Sequence, residues 1–287
     1  IIRDGSTIET LVKGVDEFSE DRIIKGMVGR AMEGDYYRAD QTADYGERVV
    51  LQVEGLSVPG ELEDISFDVH EGEILGFCGL SDSGIHAVGK EVFGLSRASA
   101  GSVRLVESGK AIRTPMDALR HNMGYVPKDR DSEALLINDS IRENFTLPSF
   151  GELTGPVGYI SPGKMKKLAA EMVEKLSVKC TGINQSVSAL SGGNKQKINL
   201  GRWLAKDLKV LVLDCPTRGV DVGVKAYIYA LMKQAKQNKI ATILISDELT
   251  EVIGMADRLI VMKDGRMTRT IRRDGEFTEQ AIIEVMI

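Results

Sequence analysis

Leu190-Ser191-Gly192-Gly193-Asn194-Lys195-Gln196, followed after one amphipathic stretch by Val210-Leu211-Val212-Leu213-Asp214, decides the fold. The first run places a serine and two glycines where a helix begins, because residues 194–204 carry helical periodicity. The first turn of a helix leaves backbone N–H groups unpaired and carries the positive end of the dipole, both suited to a phosphate. Glycines let that backbone come close to an anion, and a serine hydroxyl can donate to it. Taken alone, Ser191 reads as a helix cap. The second run, a fully apolar strand ending in the acid Asp214, turns the pair into a phosphate-handling signal.

Beyond this pair, strand and helix alternate. Residues 194–204 lead to strand 210–213, residues 224–237 to strand 241–246, and residues 249–255 to strand 258–262. Alternation of this kind implies right-handed crossovers, a mostly parallel sheet, and ligands at the carboxyl ends of its strands. Upstream, Val49-Val50-Leu51-Gln52-Val53 and Ile65-Ser66-Phe67-Asp68-Val69 alternate apolar and polar residues as antiparallel strands do. Residues 102–106 read as another short strand. Residues 114–186 carry helical periodicity with little strand signal. Met165, Leu168, Ala169, Met172, Val173 and Leu176 are its clearest face.

The opening of the chain parallels its end. Ile1-Ile2-Arg3-Asp4-Gly5 matches Val261-Met262-Lys263-Asp264-Gly265. Phe18-Ser19-Glu20 precedes Ile23, Ile24, Met27 and Val28 much as Phe277-Thr278-Glu279 precedes Ile282, Ile283 and Met286. An offset of about 260 residues implies tandem domains rather than a solenoid unit. Residues 1–46 therefore read as the tail of a preceding copy plus a polar linker, residues 47–287 as one nucleotide-binding cassette, and the chain as part of a roughly doubled polypeptide.

A net charge of −5 and an aromatic content of 5% argue against a nucleic-acid surface. No apolar run reaches the ~20 residues that span a bilayer. Cys78, Cys180 and Cys215 lack metal-ligand spacing and do not pair evenly. A cytosolic, reducing setting is expected.

A P-loop requires Gly-x-x-x-x-Gly-Lys-Ser/Thr between a strand and a helix. Residues 73–79 form an apolar strand, and Gly79-Leu80-Ser81-Asp82-Ser83-Gly84-Ile85-His86 follows it. Both bracketing glycines are present, and Ser81 and Ser83 lie within the cradle. Ile85 stands where the lysine belongs and His86 where a hydroxyl would hold Mg²⁺, while Asp82 adds a like charge to the phosphate. Removing one partner of a desolvated charge pair costs roughly 3–5 kcal/mol, several hundredfold or more in affinity.

The run 190–196 resembles the LSGGQ signature of ABC-type ATPases, and 210–214 resembles their Walker B strand. Residues 213–223, Leu-Asp-Cys-Pro-Thr-Arg-Gly-Val-Asp-Val-Gly, are similar to the second cassette of the monosaccharide (ribose, galactose and xylose) ABC importers. So are Gly55-Leu56-Ser57-Val58-Pro59-Gly60, Gly124-Tyr125-Val126-Pro127 and Glu248-Leu249-Thr250-Glu251-Val252. The resemblance implies an α/β ABC-type P-loop NTPase cassette: a mixed core sheet, an antiparallel β layer, and a helical subdomain at about 122–187. It also implies ATP and Mg²⁺ as cofactors, with Asp214 and the residue-86 position on the metal. The nucleotide contacts it implies are Gly79, Ser81, Ser83, Gly84, Ile85 and His86 on one face, and Leu190, Ser191, Gly192, Gly193 and Gln196 on the other.

Three further positions depart from the family pattern. Cys215 replaces the glutamate that activates water, Asp247 stands at the switch-histidine site, and Lys128 stands at the Q-loop glutamine. A protonated thiol cannot serve as that base. The resemblance thus implies a degenerate Walker site beside an intact signature, which completes an active site on a first cassette. Its implied partners are that cassette, a membrane permease and, indirectly, a periplasmic or extracellular sugar-binding protein. The implied location is the cytoplasmic face of the cell membrane. The rival reading is a pseudo-ATPase that serves as a regulatory scaffold.

Overall fold

The computed structural model describes residues 1–3, 6–16, 22, 37–38, 42–155, 158–275 and 277–286. Most of the first half of the tandem parallel (Asp4, Gly5, Phe18, Ser19, Glu20, Ile23, Ile24, Met27 and Val28) lies outside them. What is described there is an antiparallel pair, β1 (Ile2–Arg3) with β2 (Ser6–Thr7).

Two further sheets organise the described residues. Strands β3 (Val49–Val58), β4 (Leu62–His70), β6 (Ala100–Leu105) and β7 (Lys110–Ala111) form an antiparallel layer in the order β4-β3-β6-β7. Strands β5 (Ile74–Gly79), β8 (Met123–Val126), β9 (Val210–Asp214), β10 (Ala241–Ile245), β11 (Arg258–Lys263) and β12 (Arg266–Arg272) form the core sheet, in the order β12-β11-β5-β10-β9-β8. Its pairings are parallel from β11 to β8 and antiparallel only at β12. Burial on both faces explains why β9 and β10 are mostly apolar rather than alternating.

The helices confirm the alternating part of the pattern. Ile85–Val92 follows β5, Gly192–Leu204 precedes β9, Val222–Gln237 joins β9 to β10, and Leu249–Met255 joins β10 to β11. Residues 123–126 correct the expectation of continuous helix: they form the buried edge strand β8, parallel to β9. Four consecutive buried residues look alike in helix and strand, and periodicity cannot separate them. Helices Ile141–Thr146 and Pro162–Lys175 then build a second apolar core with the signature helix, through Phe145, Met172, Leu176, Leu190 and Ile198. No described helix is long and apolar enough to cross a membrane.

Residues 37 and 38 are fastened to the far edge of the cassette. The Tyr37 ring lies against Gly254, leaving no room there for a Cβ. Arg38 pairs with the fully buried Asp257 at 2.5 Å, which also takes Lys236 at 2.9 Å.

Candidate functional site

Parallel strands deliver their carboxyl ends to one edge of the sheet, so four loops converge there. Residues 79–84 follow β5, 127–130 follow β8, 215–221 follow β9 and 246–248 follow β10. Neighbouring positions in the order β5-β10-β9-β8 bring residues far apart in sequence into contact.

The loop after β5 keeps the backbone shape of a phosphate cradle. Gly84 has φ 88°, and a Cβ on it would run into the Glu61 carbonyl. A Cβ on Gly79 would run into Ser83 Oγ, itself buried and without a hydrogen-bond partner among the described residues. Ser81 is exposed in the turn. Ile85, at the lysine position, is fully buried in the main core and contributes packing only.

His86 lies between two acids. Its Nδ1 is 2.7 Å from Asp214 Oδ1 and its Nε2 3.1 Å from Asp247 Oδ1. Lys128 Nζ lies 2.9 Å from the same Nε2 and 2.8 Å from Asp247 Oδ2. Asp214 is fully buried, and its other oxygen accepts from the Tyr125 hydroxyl at 3.4 Å. Cys215 follows Asp214 with φ 47° and is 5% exposed; its N–H donates to the Ile245 carbonyl. Four of the positions that depart from the pattern, His86, Lys128, Cys215 and Asp247, thus gather beside Asp214, whereas the fifth, Ile85, is buried in the core. Burial pulls the His86 pKa down, but the Asp214 hydrogen bond and charge outweigh it, and the net shift is upward. Burial also pushes the Cys215 thiol up to about 12, so it is neither thiolate nor base.

These contacts decide what the pocket can hold. The glycine cradle fits a phosphate. The donor set does not fit Mg²⁺, which demands near-octahedral oxygen coordination: imidazole and thiol stand where hydroxyl and carboxylate belong, and His86 already engages Asp214. Asp214 and His86, the residues expected on Mg²⁺, instead engage each other at 2.7 Å, an arrangement that does not suit that ion.

The signature face is differently made. Ser191 has cap-like backbone angles, yet its hydroxyl caps no backbone N–H and instead accepts from Asn194 Nδ2 at 2.9 Å. A Cβ on Gly193 would lie 2.7 Å from Val224 Cγ2, and one on Gly192 3.0 Å from Arg130 Nη2. Two residues expected among the nucleotide contacts are turned inward. Gln196 is buried, donating to the Pro216 carbonyl at 2.5 Å, and Leu190 packs in the helical core. Sequence reasoning gave no role to Tyr125 or Arg130. Arg130 donates to the Arg218 carbonyl at 2.8 Å and so ties the loop after β8 to the loop after β9. Tyr125 stood inside a quoted motif, but nothing local marked its reach to Asp214.

A family profile described as ABC transporter matches residues 62–218, more than half of the sequence. The chain belongs to the ABC transporter family. Among similar proteins, a ribose import ATP-binding protein RbsA of Lacticaseibacillus paracasei is 39% identical over 289 residues, covering 99% of this chain and 55% of its own length. The RbsA of Bacillus subtilis is 36% identical over 283 residues, covering 99% and 56%. The chain spans about half the length of these curated relatives. In fold, the cassette is similar to the ADP conformation of MJ1267, an ATP-binding cassette of an ABC transporter. There the TM-score is 0.67 at 20% identity, over 83% of this chain and 98% of that one. It is also similar to MJ0796 in a dimeric post-hydrolysis state bound to ADP and Pi. The TM-score is 0.68 at 20% identity, over 78% and 99%.

Proposed function

We propose that the chain is the C-terminal nucleotide-binding half of the ATP-hydrolysing subunit of a sugar importer, of the ribose type its relatives' names describe. It presents Ser191, Gly192 and Gly193 to ATP and Mg²⁺ held by a first cassette, and keeps a degenerate Walker pocket of its own. The paired cassettes act on a membrane permease at the cytoplasmic face of the membrane, which receives sugar from a binding protein outside. The observation that carries this reading is the contrast between the two faces. The signature glycines open a helix N-terminus, whereas the Walker-type pocket buries Ile85 and ties its carboxylates to His86 and Lys128.

Steady-state hydrolysis by this chain alone, with Mg²⁺ and ATP, is expected near background. Turnover by the chain alone that Asp214→Ala abolishes would refute the reading. The closed cluster also favours a second reading, a non-hydrolysing scaffold. Sugar uptake by vesicles holding the permease and the full two-cassette protein separates the two: a transporter loses uptake with Ser191→Arg, whereas a scaffold does not.

A further inference from the structure

The donor set that turns away a hard magnesium ion suits a softer one. His86 lies in the first turn of the helix after β5, while Cys215 and Asp247 sit on the loops after β9 and β10, each at a position that departs from the family pattern. One ligand atom from each lies within 4.8 Å of the others. Among the described residues this is the one such group of three or more His, Cys, Asp or Glu side chains.

We propose that this pocket binds one borderline-soft divalent cation of the Zn²⁺ class through His86 Nε2, the Cys215 sulfur and an Asp247 carboxylate oxygen, leaving the fourth position to solvent. Imidazole, thiolate and carboxylate are the ligands such ions take in tetrahedral sites, at about 2.0–2.3 Å. Closing the three donors onto one ion needs a contraction of roughly 1 Å. Side-chain rotation at the Asp247 loop, which is partly exposed, can supply it.

Two features support the assignment beyond donor chemistry. The first is the partner behind the histidine. Asp214 Oδ1 holds His86 Nδ1 at 2.7 Å and is itself buried, which fixes the ring with Nε2 toward Asp247. A carboxylate behind a ligating histidine is the usual support of a zinc site. The second is that a cation already sits there. The Lys128 ammonium lies 2.9 Å from Nε2 and 2.8 Å from Asp247 Oδ2. Its long side chain is 28% exposed, and a partly exposed ion pair of this kind holds weakly. Lys128 can swing outward and give up its place to a doubly charged ion. Binding takes the proton from the Cys215 thiol and releases it to solvent.

The test uses Co²⁺ and Zn²⁺ alone on the purified chain, without nucleotide, so its failure leaves the transport reading standing. Co²⁺ is expected to bind at one equivalent with a thiolate-to-cobalt charge-transfer band, and Zn²⁺ to displace it. Cys215→Ser should abolish the band, and His86→Gln should weaken Zn²⁺ binding at least about tenfold. Asp214→Asn should keep the band but weaken binding about 10–100-fold, as loss of a supporting carboxylate does. Lys128→Met, which removes a competing cation from a partly exposed position, should tighten binding. Thermal unfolding of each variant identifies any that fails to fold, and Lys128→Met then decides alone. The proposal is overturned by no stoichiometric binding, by a band that survives Cys215→Ser and disappears with Cys180→Ser, or by Lys128→Met leaving affinity unchanged or lower.

Discussion

Lys128 Nζ faces Asp247 Oδ2 at 2.8 Å, so the positive charge in the pocket comes from the loop after the edge strand β8 and is bound to an acid. The position that normally supplies a phosphate-binding lysine is Ile85, sealed in the core. The cassette therefore does carry a cation near its phosphate cradle, but that cation is already paired.

Releasing the lysine should improve nucleotide binding. Asp247→Asn removes a like charge from the approach of a phosphate and leaves Lys128 free to turn toward it. Because the pair is partly exposed, the gain is modest, about 1 kcal/mol, or roughly fivefold tighter ATP. Titration with a fluorescent ATP analogue measures it. Unchanged or weaker binding would show that Lys128 does not reach the phosphates.

The same cluster sets a pH dependence. His86 has a raised pKa: burial lowers it, but Asp214 raises it more. Its contribution to stability is therefore full below the ordinary value of 6.5 and is lost as pH rises through the folded value. Asp247 has a lowered pKa: burial raises it, but Lys128 and His86 lower it more. Its contribution is present above the ordinary 3.8 and is lost as pH falls through the folded value. The melting-temperature gap between the wild type and His86→Gln should be widest between about pH 4 and 6.5 and shrink above that. A gap constant from pH 5 to 9 would contradict the linkage.

Glu251 should show the opposite slope to Asp247. It is fully buried on the helix after β10, and burial holds its carboxyl above the ordinary 4.5 despite the Ser246 and Thr217 hydroxyls nearby. A raised acid pKa stabilises the fold below the unfolded value and loses that contribution as pH rises through the folded one. Glu251→Gln, matched in shape but uncharged, should melt close to wild type near pH 4.5 and above it at pH 8. Equal melting at both pH values would show that the carboxyl ionises without cost.

Much of this was legible in the sequence because the informative features were local. Strand–helix alternation through 210–213 and 241–246 points to the parallel strands, and the bracketing glycines of 79–84 point to the cradle. What escaped depended on which strands become neighbours. Met123–Val126 reads as buried without saying whether it coils or extends. Nothing in the spacing of His86, Lys128, Asp214 and Asp247 predicts contact until the order β5-β10-β9-β8 is known. Nor does the motif show that Gln196 donates to the Pro216 carbonyl, a contact that arises because the loop after β9 lies beside it.

The cradle's shape has its own test in Gly84. Its φ of 88° disfavours any residue with a side chain, and the Glu61 carbonyl occupies the space a Cβ needs. Because the obstacle is backbone rather than a flexible side chain, Gly84→Ala should destabilise by roughly 1–3 kcal/mol, from strain at positive φ and overpacking together. Denaturant midpoints at unchanged slope measure it. A loss below about 0.5 kcal/mol would mean that the loop relaxes freely, and the cradle would then not be preformed.

The proposed division of labour between the two faces is tested on the full two-cassette protein. Ser191 is exposed at the start of the signature helix, and among the described residues only the Asn194 side chain meets its hydroxyl, so its face is open to a partner. Ser191→Arg places a long cation in that closing surface and should reduce hydrolysis to background. Cys215→Glu restores the family's base, yet Ile85 and His86 still leave the pocket without its lysine and its magnesium-binding hydroxyl. Its turnover should therefore stay within about twofold of wild type, because general-base help of 10²–10⁴-fold is useless at a site that cannot assemble its substrate. Hydrolysis rates of the two variants, measured side by side, decide the matter. A large rise with Cys215→Glu, or full activity with Ser191→Arg, would place the working site on this cassette instead.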